Sequence, residues 1–288
     1  MNNPMGQMTS DEIREQVSES YAKALAQAEA ATKQGSACAP ACCEPPAGVA
    51  AKLAGYEAEL EQHAEAGKSS FGCGNPLAFA GVKPGETVLD LGSGAGFDLM
   101  IAAEKVGPEG KVIGVDMTDE MLAAARANAE KAGYQQIELR KGVIEKLPVE
   151  DASVDWVISN CVVNLSPEKD LVFAEINRVL RPGGHFSISD IVVETLPQSV
   201  RDFAAAYHAC IAGAISEEAY LAGLRRAGLE ETAATERFVY ELEHLRGLVG
   251  TDLELHDAEP EALDEIMAEL EKLPGSVASV RISGRKPQ

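Results

Sequence analysis

The segment of residues 87–98, with the sequence TVLDLGSGAGFD, constrains the possible folds of this chain more than any other feature. Its first five residues are mostly apolar and β-branched at the start, which predicts a short buried strand. Gly92, Gly94 and Gly96 follow at once, and residues 99–106 then predict a helix. A strand, a glycine turn and a helix in this order open a nucleotide-binding βαβ unit, because glycine lets the backbone lie where a Cβ would meet the ligand.

Two carboxylates accompany the glycine turn. Residues 111–115 predict a second strand that ends on Asp116, where a carboxylate can accept hydrogen bonds from both hydroxyls of a ribose. Asp90, at the end of the first predicted strand, faces the same crevice. Phe97 occupies the place of the third glycine of a dinucleotide site, so the spacing is G-x-G-x-G. These residues favour an adenosyl ligand without phosphates over a dinucleotide.

Alternating helices and strands continue beyond this unit and predict a parallel α/β sheet. The fourth predicted strand, residues 155–159, delivers Asn160 and Cys161 to the carboxyl edge of the sheet, where open α/β folds bind their ligands. We therefore interpret Cys161 as functional. A helix predicted over residues 199–212 carries Cys210, whose apolar surroundings leave a core position open as the alternative.

The two ends of the chain carry further elements. The sequence TSDE at residues 9–12 predicts a capping box that begins a helix, and apolar residues then recur at every fourth position. Near the other end, residues 230–241 and 277–282 predict two more strands, with an amphipathic helix at residues 260–273 between them. The two strands could pair as a hairpin, or this part of the chain could form a small domain of its own.

The composition excludes several classes of protein. The chain has 288 residues and a formal net charge of −21, and so acidic a surface repels nucleic acid and anionic lipid. No run approaches the ~20 apolar residues of a membrane-spanning helix, and the polar residues 1–20 do not resemble a signal peptide. We therefore expect a cytoplasmic protein without nucleic-acid or membrane partners, whose thiols stay reduced unless redox chemistry is their role.

Six cysteines are spread along the chain, and none forms the C-x-x-C pair of a zinc site, so we expect no structural metal. Cys42 and Cys43 lie in a linker of small residues and prolines, where adjacent thiols can act as a mobile soft-metal ligand or a redox relay, or can be incidental. Cys73 lies between two glycines, just before Asn75 and Pro76, which predict the beginning of a short helix. The positive end of that helix would favour the Cys73 thiolate.

The motif D-x-G-x-G-x-G at residues 90–96 resembles that of the class I methyltransferases, which use S-adenosylmethionine. The resemblance continues through Asp116, residues 142–148 (GVIEKLP), residues 155–159 (DWVIS) and residues 179–184 (VLRPGG), and covers roughly half of the chain. It implies a Rossmann-like class I methyltransferase sheet flanked by helices, to which we add a small C-terminal α+β extension. The cofactor-binding residues that it implies are Asp90, Gly92, Gly94, Gly96, Asp116, Met117, Ile144, Glu145 and Asn160.

Three cysteine motifs closely resemble those of the arsenite methyltransferases: FGCGNP at residues 71–76, ISNCVVNLSP at residues 158–167 and CIAGA at residues 210–214. This narrower resemblance spans residues 10–228. It implies that trivalent arsenic, free or as a thiol adduct, is bound and methylated at three sulfurs, those of Cys73, Cys161 and Cys210. It also implies a catalytic role in reduction for the linker thiols of Cys42 and Cys43, of which either could be the working one, with thioredoxin or glutathione as the reductant.

The implied chemistry agrees with the residues present. Thiolates select soft centres such as trivalent arsenic over hard ones. Arsenic held by three thiolates keeps a lone pair that can attack the sulfonium methyl group in line, and no general base is needed because arsenic carries no proton. The protein then contributes positioning and desolvation of the two reactants.

Other functions remain open on sequence alone: a class I methyltransferase acting on carbon or oxygen of a small metabolite such as a quinone precursor, and a non-enzymatic thiol protein that sequesters metalloids. A nicotinamide dehydrogenase is disfavoured by the glycine spacing. We divide the chain into an N-terminal helix with the cysteine linker (1–50), an S-adenosylmethionine-binding Rossmann-like domain (51–192), a metalloid-substrate region (193–235) and a C-terminal α+β segment (236–288).

Overall fold

The structure, a computed structural model, describes residues 8–33, 81–195, 210–246, 264, 267–269, 271–272 and 275–288. Its helices are α1 (Ser10–Lys33), α2 (Phe97–Val106), α3 (Asp119–Ala132), a 3-10 turn (Val163–Leu165), α4 (Lys169–Val179) and α5 (Glu217–Arg226). Its strands are β1 (Thr87–Leu91), β2 (Lys111–Asp116), β3 (Ile137–Lys141), β4 (Val154–Asn160), β5 (Leu180–Val193), β6 (Glu230–Val239) and β7 (Val277–Arg285).

Seven strands form one sheet in the order β3-β2-β1-β4-β5-β7-β6. The first five strands of this order are parallel to their neighbours, and β7 is antiparallel to both β5 and β6. After β1 the chain builds outward through β2 and β3, then returns to place β4 on the other side of β1. The carboxyl ends of β1 and β4 therefore form the switch point at which open α/β sheets bind ligands, and the predicted Rossmann-like α/β class is confirmed.

Helices cover both faces of the sheet with apolar side chains. On one face, Phe173 of α4 and Tyr220 of α5 pack with Phe186 and Ile282 of the strands, and all four are buried. On the other face, α2 packs its apolar residues against β1, β2 and β4. Burying each large apolar side chain stabilises the fold by about 1.5–3 kcal/mol, so these two layers hold the strand ends of the switch point in place.

The helix α1 begins with the predicted capping box, which the structure confirms. Thr9 N donates to Glu12 Oε2 at 2.7 Å, and Glu12 N donates to Thr9 Oγ1 at 3.3 Å. Ile13 and Val17 are buried on one face of this helix, and Ser18 Oγ lies 3.0 Å from Thr118 Oγ1 at the N-terminus of α3. As a result α1 lies across the carboxyl edge of the sheet.

The two C-terminal strands extend the main sheet. β6 pairs with β7 and β7 with β5, both antiparallel. Of the two arrangements that the sequence left open, the structure has the hairpin. Among the described elements, no helix combines the length and the apolar character that crossing a bilayer requires.

Two predictions differ from the structure. The sequence predicts a fifth strand at residues 185–190, but β5 begins at Leu180. The chain enters the sheet directly after α4, and residues 181–184 are accommodated between the pairs Val154↔Leu180 and Trp156↔His185. The helix predicted over residues 199–212 is wrong at its end. Cys210 has a φ of 60° and lies in a turn, and that dihedral angle is incompatible with a right-handed helix. Residues 199–209 lie outside the described part of the chain.

Candidate functional site

A cavity opens at the switch point, and most of the predicted cofactor residues line it. They come from the ends of β1, β2 and β4 and from the segments that follow: Asp90, Gly92, Gly94, Asp116, Met117, Ile144, Glu145 and Asn160. Cys161 lines the same cavity, as the next residue after β4. Gly96 has a different place, at the N-cap of α2 with a φ of 91°, where a Cβ would lie 3.2 Å from Ala125 Cβ of α3.

The first two glycines of the motif meet different requirements. At Gly92 the φ is +66° and an added Cβ would lie 2.5 Å from the side chain of Val162, so a side chain there would displace the turn that carries Cys161. At Gly94 the φ is +50° and an added Cβ would meet no atom within 4 Å, because this residue borders the cavity. Both positions favour glycine for conformation, and the backbone at Gly94 leaves room for a ligand.

Asp116 is fixed by the backbone of the glycine turn. Its Oδ2 accepts from Gly94 N at 2.9 Å, and its Oδ1 accepts from Thr118 N at 2.9 Å. Burial raises the pKa of Asp116, and the hydrogen bonds from these backbone groups oppose that rise. Each oxygen of an ionised carboxylate can accept a second hydrogen bond, so this side chain is oriented for a pair of hydroxyls such as those of a ribose.

A third carboxylate, Asp98, lies in this cavity and was missed by the sequence analysis. It stands in the first turn of α2, and its Oδ2 accepts from Asn160 Nδ2 at 3.1 Å. Burial, followed by the negative charges of Asp98 and Asp116, raises the pKa of Asp90 well above its ordinary value. Three buried aspartates in one cavity favour a positively charged ligand, which would relieve their mutual repulsion.

The helix α1 closes one side of the cavity, which the sequence analysis also missed. Arg14, Val17 and Tyr21 of α1 line it. Arg14 Nε donates to Glu145 Oε1 at 3.2 Å, and its guanidinium also pairs with Glu168. Ser166 Oγ donates to the same Glu145 oxygen at 2.6 Å. The carboxylate of Glu145, predicted to serve the cofactor, thus ties α1 to the edge of the sheet.

The structure brings two of the predicted cysteines together. Cys161 N donates to Ser189 O at 2.8 Å, and Cys210 Sγ donates to Cys161 O at 2.9 Å. Their φ angles are 59° and 60°, and both side chains are buried. A left-handed conformation is uncommon for a residue other than glycine, asparagine or aspartate and costs of order 1–3 kcal/mol, so it persists only where the surroundings enforce it. Such backbone strain is concentrated at functional sites.

The two cysteines differ in oxidation state. Cys161 is disulfide-bonded, whereas Cys210 keeps a reduced thiol. The other predicted site cysteines, Cys42, Cys43 and Cys73, lie outside the described part of the chain. The structure therefore places Cys161 and Cys210 next to each other, and the site of three sulfurs stays a prediction.

Apolar side chains from distant parts of the chain surround the pair. Ile13 and Val17 of α1, Leu165 of the 3-10 turn and Tyr240 after β6 belong to one buried cluster with Cys161 and Cys210. Removing water from around a thiolate strengthens its interaction with any nearby positive centre. Tyr240, in the C-terminal segment, thus contributes to the walls of the cysteine site.

A buried polar network lies behind the cysteines. Asp190 at the end of β5 accepts from Ile191 N at 2.9 Å, from Asn164 N at 3.1 Å and from Tyr220 Oη at 3.3 Å. Burial raises the pKa of Asp190 to about 7, although these hydrogen bonds and the charge of Lys169 favour the ionised form. This network connects β5, the 3-10 turn and α5 directly beneath the site.

Comparisons with known proteins agree with this geometry. The family model described as a methyltransferase domain matches residues 82–237. Curated relatives include the arsenite methyltransferase of Halobacterium salinarum, 52% identical over 178 residues (61% of this chain, 46% of the relative), and that of Aquipseudomonas alcaligenes, 39% identical over 182 residues (60% and 52%). The chain thus spans about half the length of these curated relatives.

A solved structure extends the match. The arsenic(III) S-adenosylmethionine methyltransferase of Chlamydomonas reinhardtii is 34% identical, superposes with a TM-score of 0.60, and is matched over 85% of this chain and 75% of its own. The family model covers more than half of the residues, and the solved relative is covered over more than two thirds of its length. The chain therefore belongs to the methyltransferase-domain family and, within it, to the arsenite methyltransferases.

Proposed function

We propose that this protein transfers a methyl group from S-adenosylmethionine to trivalent arsenic held by cysteine thiolates. The observation that carries the proposal is the placement of two buried cysteines, both with left-handed backbone conformation, beside an acidic cavity at the switch point of the sheet. Cys161 lines that cavity, and Cys210 donates to its carbonyl oxygen. Relatives named for this activity are similar to this chain in sequence, and one of them also in fold.

The residues present fit S-adenosylmethionine, which would supply an electrophilic methyl group. Gly94 opens to the cavity without a Cβ, and Asp116 presents a carboxylate already oriented by two backbone donors. Ionised Asp90 and Asp98 would be stabilised by the positive charges of the sulfonium and ammonium groups. Met117 and Ile144 supply apolar walls against which an adenine can pack.

We expect the Asp116→Ala variant to bind S-adenosylmethionine more weakly by about 1.5–3 kcal/mol, because two charge-assisted hydrogen bonds to the ribose are lost. Isothermal titration calorimetry measures the change. The Asp119→Ala variant, which removes an exposed carboxylate three residues away, is the matched control and should bind as the wild type does. If Asp116→Ala bound S-adenosylmethionine with unchanged affinity, that result would contradict the assignment of this residue to the ribose.

For the substrate, we propose that Cys161 and Cys210 supply two sulfurs and that Cys73 supplies the third. Three thiolates hold trivalent arsenic in a pyramid with its lone pair on the open side, and thiolates select such soft centres. S-adenosylmethionine, when bound, would supply its methyl group to the arsenic lone pair, and the electron pair of the broken carbon–sulfur bond would stay on its sulfur. Arsenic would thereby be oxidised from the trivalent to the pentavalent state, and no proton would have to be removed.

The trivalent state of arsenic must then be restored. We propose that thiols, including Cys42 or Cys43, return arsenic to the trivalent state by forming a disulfide, which thioredoxin or glutathione reduces by thiol–disulfide exchange. The disulfide of Cys161 in this structure would have to be reduced in the same way before arsenic could bind. This chemistry suits the reducing cytoplasm, and it needs no resident metal ion.

Incubation of the reduced protein with methyl-labelled S-adenosylmethionine, with and without arsenite, tests the proposal. We expect labelled methylarsenicals only when arsenite is present. Label transferred to an added quinone precursor instead would indicate a methyltransferase of small metabolites. Arsenite binding without any transfer of label would indicate a protein that only sequesters metalloids, and either result would overturn the proposal.

A further inference from the structure

The residue Asn164, in the middle of the 3-10 turn, links the two cysteines of the site. It is fully buried, and it follows Cys161 by three residues. Its side-chain nitrogen Nδ2 donates to Ile191 O at 2.6 Å and to Cys210 O at 3.3 Å. One amide group therefore ties the turn that carries Cys161 to the end of β5 and to the turn that carries Cys210.

The backbone N–H and C=O groups of Asn164 both form hydrogen bonds. Its N donates to Asp190 Oδ2 at 3.1 Å, and its O accepts from Lys169 Nζ at 3.0 Å. Lys169 Nζ also donates to Ser166 O at 2.8 Å, which fixes the residues that follow the turn. With main chain and side chain both held by buried hydrogen bonds, Asn164 presents its amide in one fixed direction.

Cys210 is the residue that needs such support. Its left-handed φ of 60° is unfavourable for a cysteine, and it keeps this conformation only while neighbouring groups hold the backbone. Asn164 holds the carbonyl of Cys210, while the thiol of Cys210 points to Cys161 O at 2.9 Å. The backbone conformation sets the direction of the Cα–Cβ bond, and the contact with Cys161 O then selects the position of the sulfur. A group that fixes the carbonyl therefore helps to hold the sulfur beside Cys161.

We propose that Asn164 is a positioning residue that holds the thiol of Cys210 against Cys161, so that both sulfurs can bind one trivalent arsenic atom. The inference rests on the proposed function, because it assigns Asn164 to the arsenic site. Asn164 acts through Cys210 and through the turn of Cys161. Groups behind a metal ligand that orient it in this way typically affect affinity by about 10- to 100-fold when they are removed.

The test is the affinity of the fully reduced protein for phenylarsine oxide, a trivalent arsenical that binds pairs of thiols. We expect the Asn164→Ala variant to bind it about 10- to 100-fold more weakly, while its affinity for S-adenosylmethionine stays within about twofold of the wild type. The rate at which iodoacetamide alkylates Cys210, followed by peptide mass spectrometry, should change as well. If Asn164 contributed to stability alone, the variant would have a lower melting temperature, and its affinity for phenylarsine oxide and the alkylation rate of Cys210 would be unchanged.

Gln136 offers a matched control. Its Nε2 donates to two backbone carbonyls, Ala103 O at 3.2 Å and Gly107 O at 3.4 Å, far from the cysteines. The Gln136→Ala variant should lose stability and keep both affinities. If the wild-type protein fails to bind phenylarsine oxide, the proposed function fails; if the wild type binds it and Asn164→Ala binds it equally well, only the role of Asn164 is overturned.

A second variant keeps the proposal testable if Asn164→Ala does not fold. Asn164→Ser retains a short hydroxyl donor and removes less volume, and the same loss of arsenical affinity with intact binding of S-adenosylmethionine would support the proposal. Loss of both affinities in both variants would assign Asn164 to folding alone and would overturn it.

Discussion

The Cys210→Ser variant is expected to lose arsenite methylation by on the order of 100-fold or more while it keeps its affinity for S-adenosylmethionine. Serine offers a hard oxygen in place of a soft thiolate, and arsenic held by the remaining sulfurs is bound more weakly and aligned less well. The thiol of Cys210 donates to the carbonyl oxygen of Cys161, and of these two residues it is Cys161 that lines the cavity at the switch point. Methyl transfer to arsenite in the reduced protein gives the first quantity, and calorimetry gives the second.

A core role for Cys210, the alternative that the sequence left open, predicts a different result. Replacing a buried thiol with a hydroxyl would then lower the free energy of unfolding by about 1–3 kcal/mol and leave the folded protein active. The Ala212→Ser variant inserts a hydroxyl into the same buried turn without removing a thiol, and it is the matched control. Activity of Cys210→Ser close to that of Ala212→Ser would contradict the assignment.

The framework of the site could be predicted because each part of it has a local signal. The glycine turn follows an apolar strand directly, and the structure has that strand at Thr87–Leu91. Asp116 ends the second strand as predicted. On α3, the helical spacing of four apolar residues predicts an inward face, and all four are buried: Met121, Leu122, Ala125 and Ala129. Hydrophobic periodicity and terminal residues fix such elements, because neighbours in sequence determine them.

The arrangement of the cysteines had no such signal. Left-handed backbone is predictable at glycine, but at Cys161 and Cys210 it occurs together with hydrogen bonds to residues distant in sequence, Ser189 and Asn164. The predicted helix through Cys210 was wrong for this reason: helical propensity was overridden by tertiary contacts. The pairing of Arg14 with Glu145 also could not be predicted from local sequence patterns, since the two residues are 131 positions apart.

The stability of the protein is expected to fall as the pH rises from about 4 to about 7, and Asp190 is expected to account for up to about 4 kcal/mol of that change. In the folded protein, burial raises the pKa of Asp190 to about 7, whereas the ordinary value of an aspartate is 3.8. Between these values the folded state binds a proton that the unfolded state has lost. The contribution is fully present below pH 3.8 and is lost as the pH passes through 7.

The groups that face Asp190 set the size of this effect. Tyr220 Oη and the backbone nitrogens of Ile191 and Asn164 donate to its carboxylate, and the positive charge of Lys169 also favours the ionised form. Burial raises the pKa of Tyr240, and this residue lies close enough that negative charge on Cys210 and Asp190 raises it further. Desolvation of the carboxylate outweighs the donors and Lys169, and for that reason the shift is upward.

Urea unfolding of the wild type and of the Asp190→Asn variant between pH 5 and pH 8 measures the contribution. The absolute stability of the variant should be lower, since its amide nitrogen would face backbone donors, so the informative quantity is the slope of the unfolding free energy against pH.

Asp90 and Asp116 also have raised pKa values, but the wild type and the variant both contain them, so their effect cancels in the comparison. The slope should be shallower in Asp190→Asn and unchanged in Asp170→Asn, which alters an exposed aspartate of α4. Equal slopes in all three proteins would mean that Asp190 stays ionised in the folded state at pH 5, and that the donors and Lys169 outweigh its burial.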